Sequence, residues 1–338
     1  MSRLSVVIPF FQKTPGILAR SLRSIAAQKL TPGMFIDVIV VDDESPVPAL
    51  NELAGIQSPD RISIRSVRQV NGGVAAARNR GLSEIEETAE YVAFLDSDDV
   101  WPGDHLARAI AGFEQGFDFY FSDNRREGRH LSYCRSSPFA PMTSAFIEAA
   151  GQAAGLLDIP KDLMIGLTLA EFPCQASTVV YRRSIAPKLR FDDELAFTGE
   201  DVLFFTALAA AASKVCFDLD SIVECGSGVN IYFSNLAVGD ERFLPIKVDK
   251  YVTHFRIDER FKLSERNKDW NDHWLSTSRK DLAYHLVRGL LYRPVATTKE
   301  IGRLTKIAFP AACSLFAELL RLIVDRLAKG AGISKVAK

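Results

Sequence analysis

Short runs of β-branched and apolar residues alternate with segments of helical periodicity over the first 120 residues. The runs at 5–11 and 35–41 predict two buried strands. Between them apolar residues recur at helical spacing from Leu18 to Ile25, and Thr14 is the expected N-cap. A strand, a helix and a strand in about 35 residues predict a parallel βαβ unit with a right-handed crossover.

The same alternation continues along the chain. Further strands are predicted at 62–67, 91–95, 117–121 and 215–223, and further helices at 74–87, from 103 onwards and at 202–213. This order predicts a doubly wound α/β sheet, whose ligands lie outside the carboxyl ends of the strands. No clear period runs through 125–170, so an irregular segment is expected there. Charged amphipathic helices follow, and we predict domains at 1–240 and 241–338.

Carboxylates follow two of these strands. Asp42 and Asp43 end one run, and Asp96, Asp98 and Asp99 follow another. Like charges so close repel each other, and a divalent cation would neutralise them. Oxygen ligands without His or Cys suit Mg²⁺ or Mn²⁺ better than zinc or copper. The alternative is a solvated turn that caps the next helix.

Two further segments are candidates for binding or chemistry. Asn71-Gly72-Gly73 predicts a tight turn that opens a helix, where a ligand can approach the backbone. Glu200 and Asp201 stand at the start of another predicted helix. The alternatives are an ordinary glycine turn and acids that are favoured by the helix dipole.

Four segments together resemble the family 2 inverting glycosyltransferases, which have the GT-A (Rossmann-like) fold. These are Ser5-Val-Val-Ile-Pro-Phe-Phe11, Val38-Ile-Val-Val-Asp-Asp-Glu-Ser45, Asn71-Gly-Gly-Val-Ala-Ala-Ala-Arg-Asn-Arg-Gly81 and Phe94-Leu-Asp-Ser-Asp-Asp-Val-Trp101. The resemblance weakens over 125–170, resumes around 191–205 and ends near 240. It implies a doubly wound mixed sheet and a nucleotide-sugar donor, which would be UDP-linked.

The resemblance also implies roles for single residues. Positions that would bind the nucleotide sugar are Pro9, Phe11, Asp42, Asp43, Gly73, Arg78, Asp96 and Asp98. Asp43 would bind the uracil ring, and Asp98 and Asp99 would hold Mn²⁺ or Mg²⁺ on the diphosphate. Asp201 would be the catalytic base, with Glu200 orienting the acceptor or the sugar. The glycine-containing loop at 226–231 would close over the diphosphate, with an ordinary loop as the alternative.

Charge and cysteine content narrow the class of protein. The 41 basic and 42 acidic residues give a net charge of −1, which excludes a general nucleic-acid binder. Five widely spaced cysteines without a CxxC pair argue against a disulfide framework. The N-terminal apolar run is too short for a signal peptide, and no apolar run is long enough to span a bilayer. We therefore expect a cytoplasmic protein.

The near-neutral total hides a basic C-terminus. Residues 301–338 contain seven basic and two acidic side chains, an excess of five positive charges. Apolar residues recur at helical spacing from Phe316 to Leu327. Such a helix can lie peripherally on the anionic inner face of the cell membrane. The alternatives are packing on its own domain or on a second subunit.

The main hypothesis is an inverting, metal-dependent glycosyltransferase that acts on a polysaccharide or glycolipid acceptor. One alternative is a phospho-receiver signalling module, because Val41-Asp42-Asp43 imitates its acidic pocket. A receiver, however, has that pair after its first strand, whereas here a strand and a helix precede it. Another alternative is a nucleotide-sugar binding protein without catalysis, which the intact Asp98, Asp99 and Asp201 disfavour.

Overall fold

The computed structural model describes residues 2–136, 140–151, 155–226, 237 and 239–330. Its contacts divide the chain into two compact units. One consists of Met1–Ala196 with Glu200–Ile231, and the other of Phe197–Gly199 with Tyr232–Lys338. The domain boundary predicted at residue 240 stays a prediction.

The first unit is built on one mixed sheet. Its strands in the described residues are β1 (Ser2–Phe10), β2 (Met34–Asp42), β3 (Ile62–Arg68), β4 (Tyr91–Phe94), β5 (Phe119–Arg126), β6 (Leu156–Ile159), β7 (Val179–Arg182) and β8 (Val215–Cys225). They lie in the order β3-β2-β1-β4-β7-β5-β8-β6. β1 pairs in parallel with both β2 and β4, whereas β7 is antiparallel to β4 and β5. The carboxyl ends of β2, β1 and β4 therefore meet at one edge.

Helices cover both faces of this sheet. In the first unit they are α1 (Ile17–Ala26), α2 (Ala49–Leu53), α3 (Val74–Ser83), α4 (His105–Glu114), α5 (Pro141–Ala149), α6 (Lys161–Ala170) and α7 (Glu200–Ala211). Val6 and Ile8 of β1 pack into a core with α1 and α4. Val7, between them, points into the other core with α3 and α7. The doubly wound α/β architecture is confirmed.

The expectation of an irregular segment over 125–170 is wrong. Arg125 and Arg126 complete β5, and α5, β6 and α6 follow in the described part of that range. The helix α6 is buried along most of its length, from Met164 to Leu169. Burial on several sides removes the polar face that makes a helix visible as a period of 3.6. The first helix also differs, since α1 begins after Gly16 rather than at Thr14.

The second unit is helical. It contains α8 (Phe243–Arg260), α9 (Glu265–Tyr292), α10 (Pro294–Ile307) and α11 (Phe309–Gly330). α11 buries Ala311, Ala312 and Leu315 and leaves Phe316 and Leu320 exposed. The predicted helical extension is confirmed. Within the described residues, every helix is too short or too polar to cross a membrane.

α3 approaches β1 unusually closely. A Cβ atom on Gly81 would lie 2.2 Å from Cγ1 of Val7, in the core. β1 and α3 cannot move apart without disturbing the packed sheet. The glycine therefore sets the height of α3 above the sheet.

We predict that Gly81→Ala destabilises the protein by about 1–3 kcal/mol, because the added methyl group overpacks this contact. Gly302→Ala is the matched control, since Gly302 lies within α10 and nothing is within 4 Å of the new methyl group. It should stabilise by about 0.5–1 kcal/mol. Urea unfolding followed by circular dichroism measures both. Equal effects of the two substitutions would contradict the proposed close contact.

Candidate active site

The turn after β4 carries three carboxylates in different environments. Asp99 is buried, whereas the side chain of Asp96 is 37% exposed. An oxygen of Asp99 accepts a hydrogen bond from the backbone N–H of Gly226 at 2.9 Å. Burial, followed by repulsion from Asp96 and Asp98, raises the pKa of Asp99 to about 8. Three negative charges on this turn are therefore unfavourable unless a cation compensates them.

Gly226 lies against this turn. A Cβ atom at that position would be 2.3 Å from the carbonyl oxygen of Asp98 and 2.9 Å from its carboxylate. Backbone oxygen cannot move aside as a flexible side chain can, so the approach needs glycine. The rest of the predicted loop, 227–231, lies outside the described residues.

Arg78 connects this turn with the acidic pair at the start of α7. Its guanidinium is 2.9 Å from Asp96 and 3.4 Å from Glu200, and it lies 5.2 Å from the centre of the Phe191 ring. Burial acts to lower the pKa of Arg78, but Asp96 and Glu200 outweigh it and the pKa is raised. A buried charge is tolerated only when it is paired, and here one cation serves two segments.

Glu200 and Asp201 form the first turn of α7. Glu200 is buried against Arg78. Asp201 accepts from the backbone N–H of Val202 at 2.8 Å. Burial raises the pKa of Asp201 above its ordinary value, while Arg78 acts in the opposite direction. A carboxylate with a raised pKa is the better proton acceptor.

The carboxylates at the end of β2 organise their own loops. Asp42 accepts from the backbone N–H groups of Ser45 and Ala49 at 2.7 and 2.9 Å. Asp43 accepts from Gly72 and Gly73, both at 2.9 Å. Asp43 thereby fixes the turn that starts α3, the helix that carries Arg78.

The remaining predicted positions lie along the same edge. Pro9 is buried in β1, and Phe11 is half-buried just after that strand. Gly73 has φ of +86°, which favours glycine. The side-chain amide of Gln12 donates to Ser97 at 3.0 Å, and its backbone N–H donates to Ser45. Gln12 thus joins the ends of β1, β2 and β4.

Ser177 and Phe191 support the site, although the sequence reasoning gave neither a role there. Ser177 accepts from the backbone N–H of Asp96 at 2.9 Å, and its carbonyl accepts from Trp101. Phe191 stacks on Phe204 with ring centres 3.9 Å apart. Ser177 lies in a short 3-10 turn before β7 that carries no sequence signal. The aromatic residue just before the acidic segment 192–201 was the available signal for Phe191.

The donor atoms at this edge fit a hard divalent cation. The turn after β4 offers carboxylate oxygens, and the raised pKa of Asp99 reflects a repulsion that a cation would remove. Within the described residues, no three His, Cys, Asp or Glu side chains are arranged to hold a metal ion by themselves. Mg²⁺ commonly takes one or two carboxylates and completes its coordination with substrate phosphates and water.

The chain is similar to known glycosyltransferases. The sequence profile of Glycosyl transferase family 2 matches residues 5–158. The succinoglycan biosynthesis protein ExoW of Rhizobium meliloti (strain 1021) is 34% identical over 263 residues, which cover 78% of this chain and 80% of ExoW. These similarities give no support to the receiver or to the non-catalytic alternative.

Solved structures show the same fold. TarS 1–349 of S. aureus, in complex with UDP-GlcNAc, superposes with a TM-score of 0.55 at 19% identity and covers 86% of this chain and 73% of that one. In the TarS structure with the longer chain, 44% of that chain is covered. The mannosyltransferase PcManGT from Pyrobaculum calidifontis, in complex with GDP-Man and Mn²⁺, gives 0.53 at 16% identity and covers 96% and 86%.

Sequence and fold thus lead to one assignment. The mixed sheet carries the acidic turn at the carboxyl edge, and the match to ExoW extends over most of both chains. The chain belongs to glycosyltransferase family 2 and is a glycosyltransferase with the GT-A fold.

Proposed function

We propose that the protein transfers a sugar from a UDP-sugar to a glycan or lipid-linked acceptor in cell-surface polysaccharide biosynthesis, with inversion at the anomeric carbon. The observation that carries this proposal is the Arg78 bridge between Asp96, which would bind the donor, and Glu200, which would orient the acceptor or the sugar. The name of ExoW supports polysaccharide biosynthesis, and the TarS complex supports a UDP-linked donor.

The donor would lie along the edge formed by β2, β1 and β4. Its binding residues would be Pro9, Phe11, Asp42, Asp43, Gly73, Arg78, Asp96 and Asp98. The Asp43 carboxylate already accepts two backbone N–H groups and, at 2.8 Å, the side-chain amide of Gln69. A carboxylate has about four lone-pair sites, so Asp43 keeps about one for the ring N–H of uracil.

Asp98 and Asp99 would hold Mg²⁺ or Mn²⁺. An ion bound there would offset the negative charge that develops on the diphosphate leaving group. The two aspartates would contribute the oxygen ligands, and the backbone N–H of Gly226 orients Asp99. Because Gly226 has no side chain, its backbone can pack directly against Asp98.

Asp201 would accept the proton of the acceptor hydroxyl. The hydroxyl oxygen forms a bond to the anomeric carbon as the bond from that carbon to the diphosphate oxygen breaks, and the bonding pair leaves with the diphosphate. The raised pKa of Asp201 favours proton acceptance, and Arg78 limits that rise. Glu200, which is paired with Arg78, would orient the acceptor or the sugar.

A lipid-linked acceptor would place the reaction at a membrane surface, on the cytoplasmic side. On α11, Phe316, Leu320 and Val324 follow one another at four-residue intervals and are 50, 65 and 61% exposed. Residues 301–338 carry an excess of five positive charges. We propose that this face of α11 contacts anionic lipid, with a second subunit as the competing partner.

For the metal site, we predict that Asp99→Ala loses the gain in UDP affinity that Mn²⁺ produces in the wild type, because one of the two ligands is removed. Titration calorimetry with and without Mn²⁺ measures this gain. Asp60→Ala, which removes an exposed acid, should retain it. If the wild type binds UDP equally well with and without Mn²⁺, the metal assignment is wrong. If it binds GDP in preference to UDP, the UDP-linked donor is wrong.

For the base, Asp201→Asn should leave the affinity for UDP within about twofold and lower transfer by at least 100-fold, since general-base catalysis contributes about 10²–10⁴. Transfer is measured as UDP released from the UDP-sugar that gives the largest thermal shift. Asp193→Asn changes a nearby exposed acid and should leave turnover intact. Wild-type turnover in Asp201→Asn means that another group is the base.

For the membrane contact, we expect the protein to co-sediment with phosphatidylglycerol vesicles. With neutral phosphatidylcholine vesicles, little of the protein should co-sediment. Phe316→Ser with Leu320→Ser should weaken binding at least tenfold, because two apolar side chains no longer enter the interface. Leu50→Ser in α2, at a residue 66% exposed, is the matched control. A dimer in solution that the double substitution dissociates would instead identify a subunit interface.

A further inference from the structure

The segment Phe197–Gly199, directly before the acidic pair, is held by α8. By its contacts it belongs to the helical unit, although Glu200 belongs to the sheet unit. The carboxylate of Asp249 accepts from the backbone N–H of Phe197 at 2.8 Å. This hydrogen bond ties the start of the segment to α8.

Asp249 is fully buried, and its charge is compensated from α10. Arg303 lies 2.7 Å from its other oxygen and also pairs with Glu300 at 2.9 Å. Arg303 in addition donates to the carbonyl of Pro245 at 3.0 Å. Two apolar residues could often hold two helices together as well as a buried ion pair does. Only an acceptor, however, can bind the N–H group at 197.

Gly199 brings the same segment into close contact with α8. Its φ is +94°, and a Cβ atom there would lie 1.9 Å from Oγ1 of Thr253. That hydroxyl donates to the carbonyl of Asp249 at 2.8 Å, so it is not free to turn away without losing this bond. The backbone is therefore held at Phe197 and at Gly199, up to the peptide bond that leads to Glu200.

We propose that Asp249 is a positioning residue for the transfer reaction, and that it acts by holding Phe197–Gly199 so that Asp201 stands at the correct place. The inference rests on the proposed role of Asp201 as the base. One residue, Glu200, separates the held segment from Asp201. A misplacement of about 1 Å in a catalytic group can cost about 100-fold in rate, so anchoring at this distance along the chain affects turnover.

The test compares Asp249→Ala, Asp249→Asn and Gly199→Ala with the wild type. Asp249→Ala should lower UDP release from the UDP-sugar about 10- to 100-fold, with the dissociation constant of UDP within about twofold. Asp249→Asn retains an acceptor oxygen and should recover most of the turnover. Gly199→Ala, which displaces the segment by a different route, should resemble Asp249→Ala.

Hydrogen exchange supplies a measurement that is independent of activity. In Asp249→Ala the amides of residues 197–203 should exchange faster than in the wild type, and those of β1 should not change. Asp258→Ala is the matched control, because Asp258 is an exposed acid on the same helix and pairs with Lys268 at the surface. It should leave both exchange and turnover as in the wild type.

Wild-type turnover in Asp249→Ala, or UDP affinity that falls as much as turnover does, would overturn the positioning role. A turnover of Asp249→Asn that is no higher than that of Asp249→Ala would overturn it as well. In each of these cases Asp201 remains the proposed base if Asp201→Asn has lost turnover. If Asp201→Asn retains turnover, the proposed function is wrong at its base, whatever Asp249→Ala does.

Discussion

The arrangement of the site depends on one buried cation. Arg78 lies between Asp96 after β4 and Glu200 at the start of α7, residues that are far apart in the sequence. Without that guanidinium, a buried Glu200 and a half-buried Asp201 would face the carboxylates of the β4 turn with no cation to compensate them. Phe191 lies against the guanidinium and itself stacks on Phe204 of α7. Charge compensation and aromatic packing thus fix the same contact.

The sequence predicted the first half of the sheet well, because each strand there is followed by a recognisable polar turn. Asp42, Asp43 and Asp96–Asp99 marked strand ends that parallel pairing brings to one edge. The prediction for 125–170 failed for a physical reason: α6 is apolar on most sides, and β6 has only four residues. A pattern that relies on one polar face cannot detect elements that have none.

The candidate site was predictable only where its residues stand in motifs. All the carboxylates that meet Arg78 could be named from the sequence, but their supports could not. Ser177 comes from a 3-10 turn and Asp249 from the middle of a helix, and each acts through the geometry of its backbone partner. Nothing in the residue type or its spacing distinguishes such an aspartate from an ordinary helix residue. Tertiary contacts decide these roles.

The place of β7 determines how the protein can be divided. This strand follows residue 158, where the match to the family profile ends, yet it lies between β4 and β5 in the middle of the sheet. A fragment cut at 158 would expose the edge of β4 and would lack the hydroxyl of Ser177 and the N–H of Gly226 beside the acidic turn. The smallest exchangeable module for recombination between such enzymes is therefore longer than their shared sequence signature.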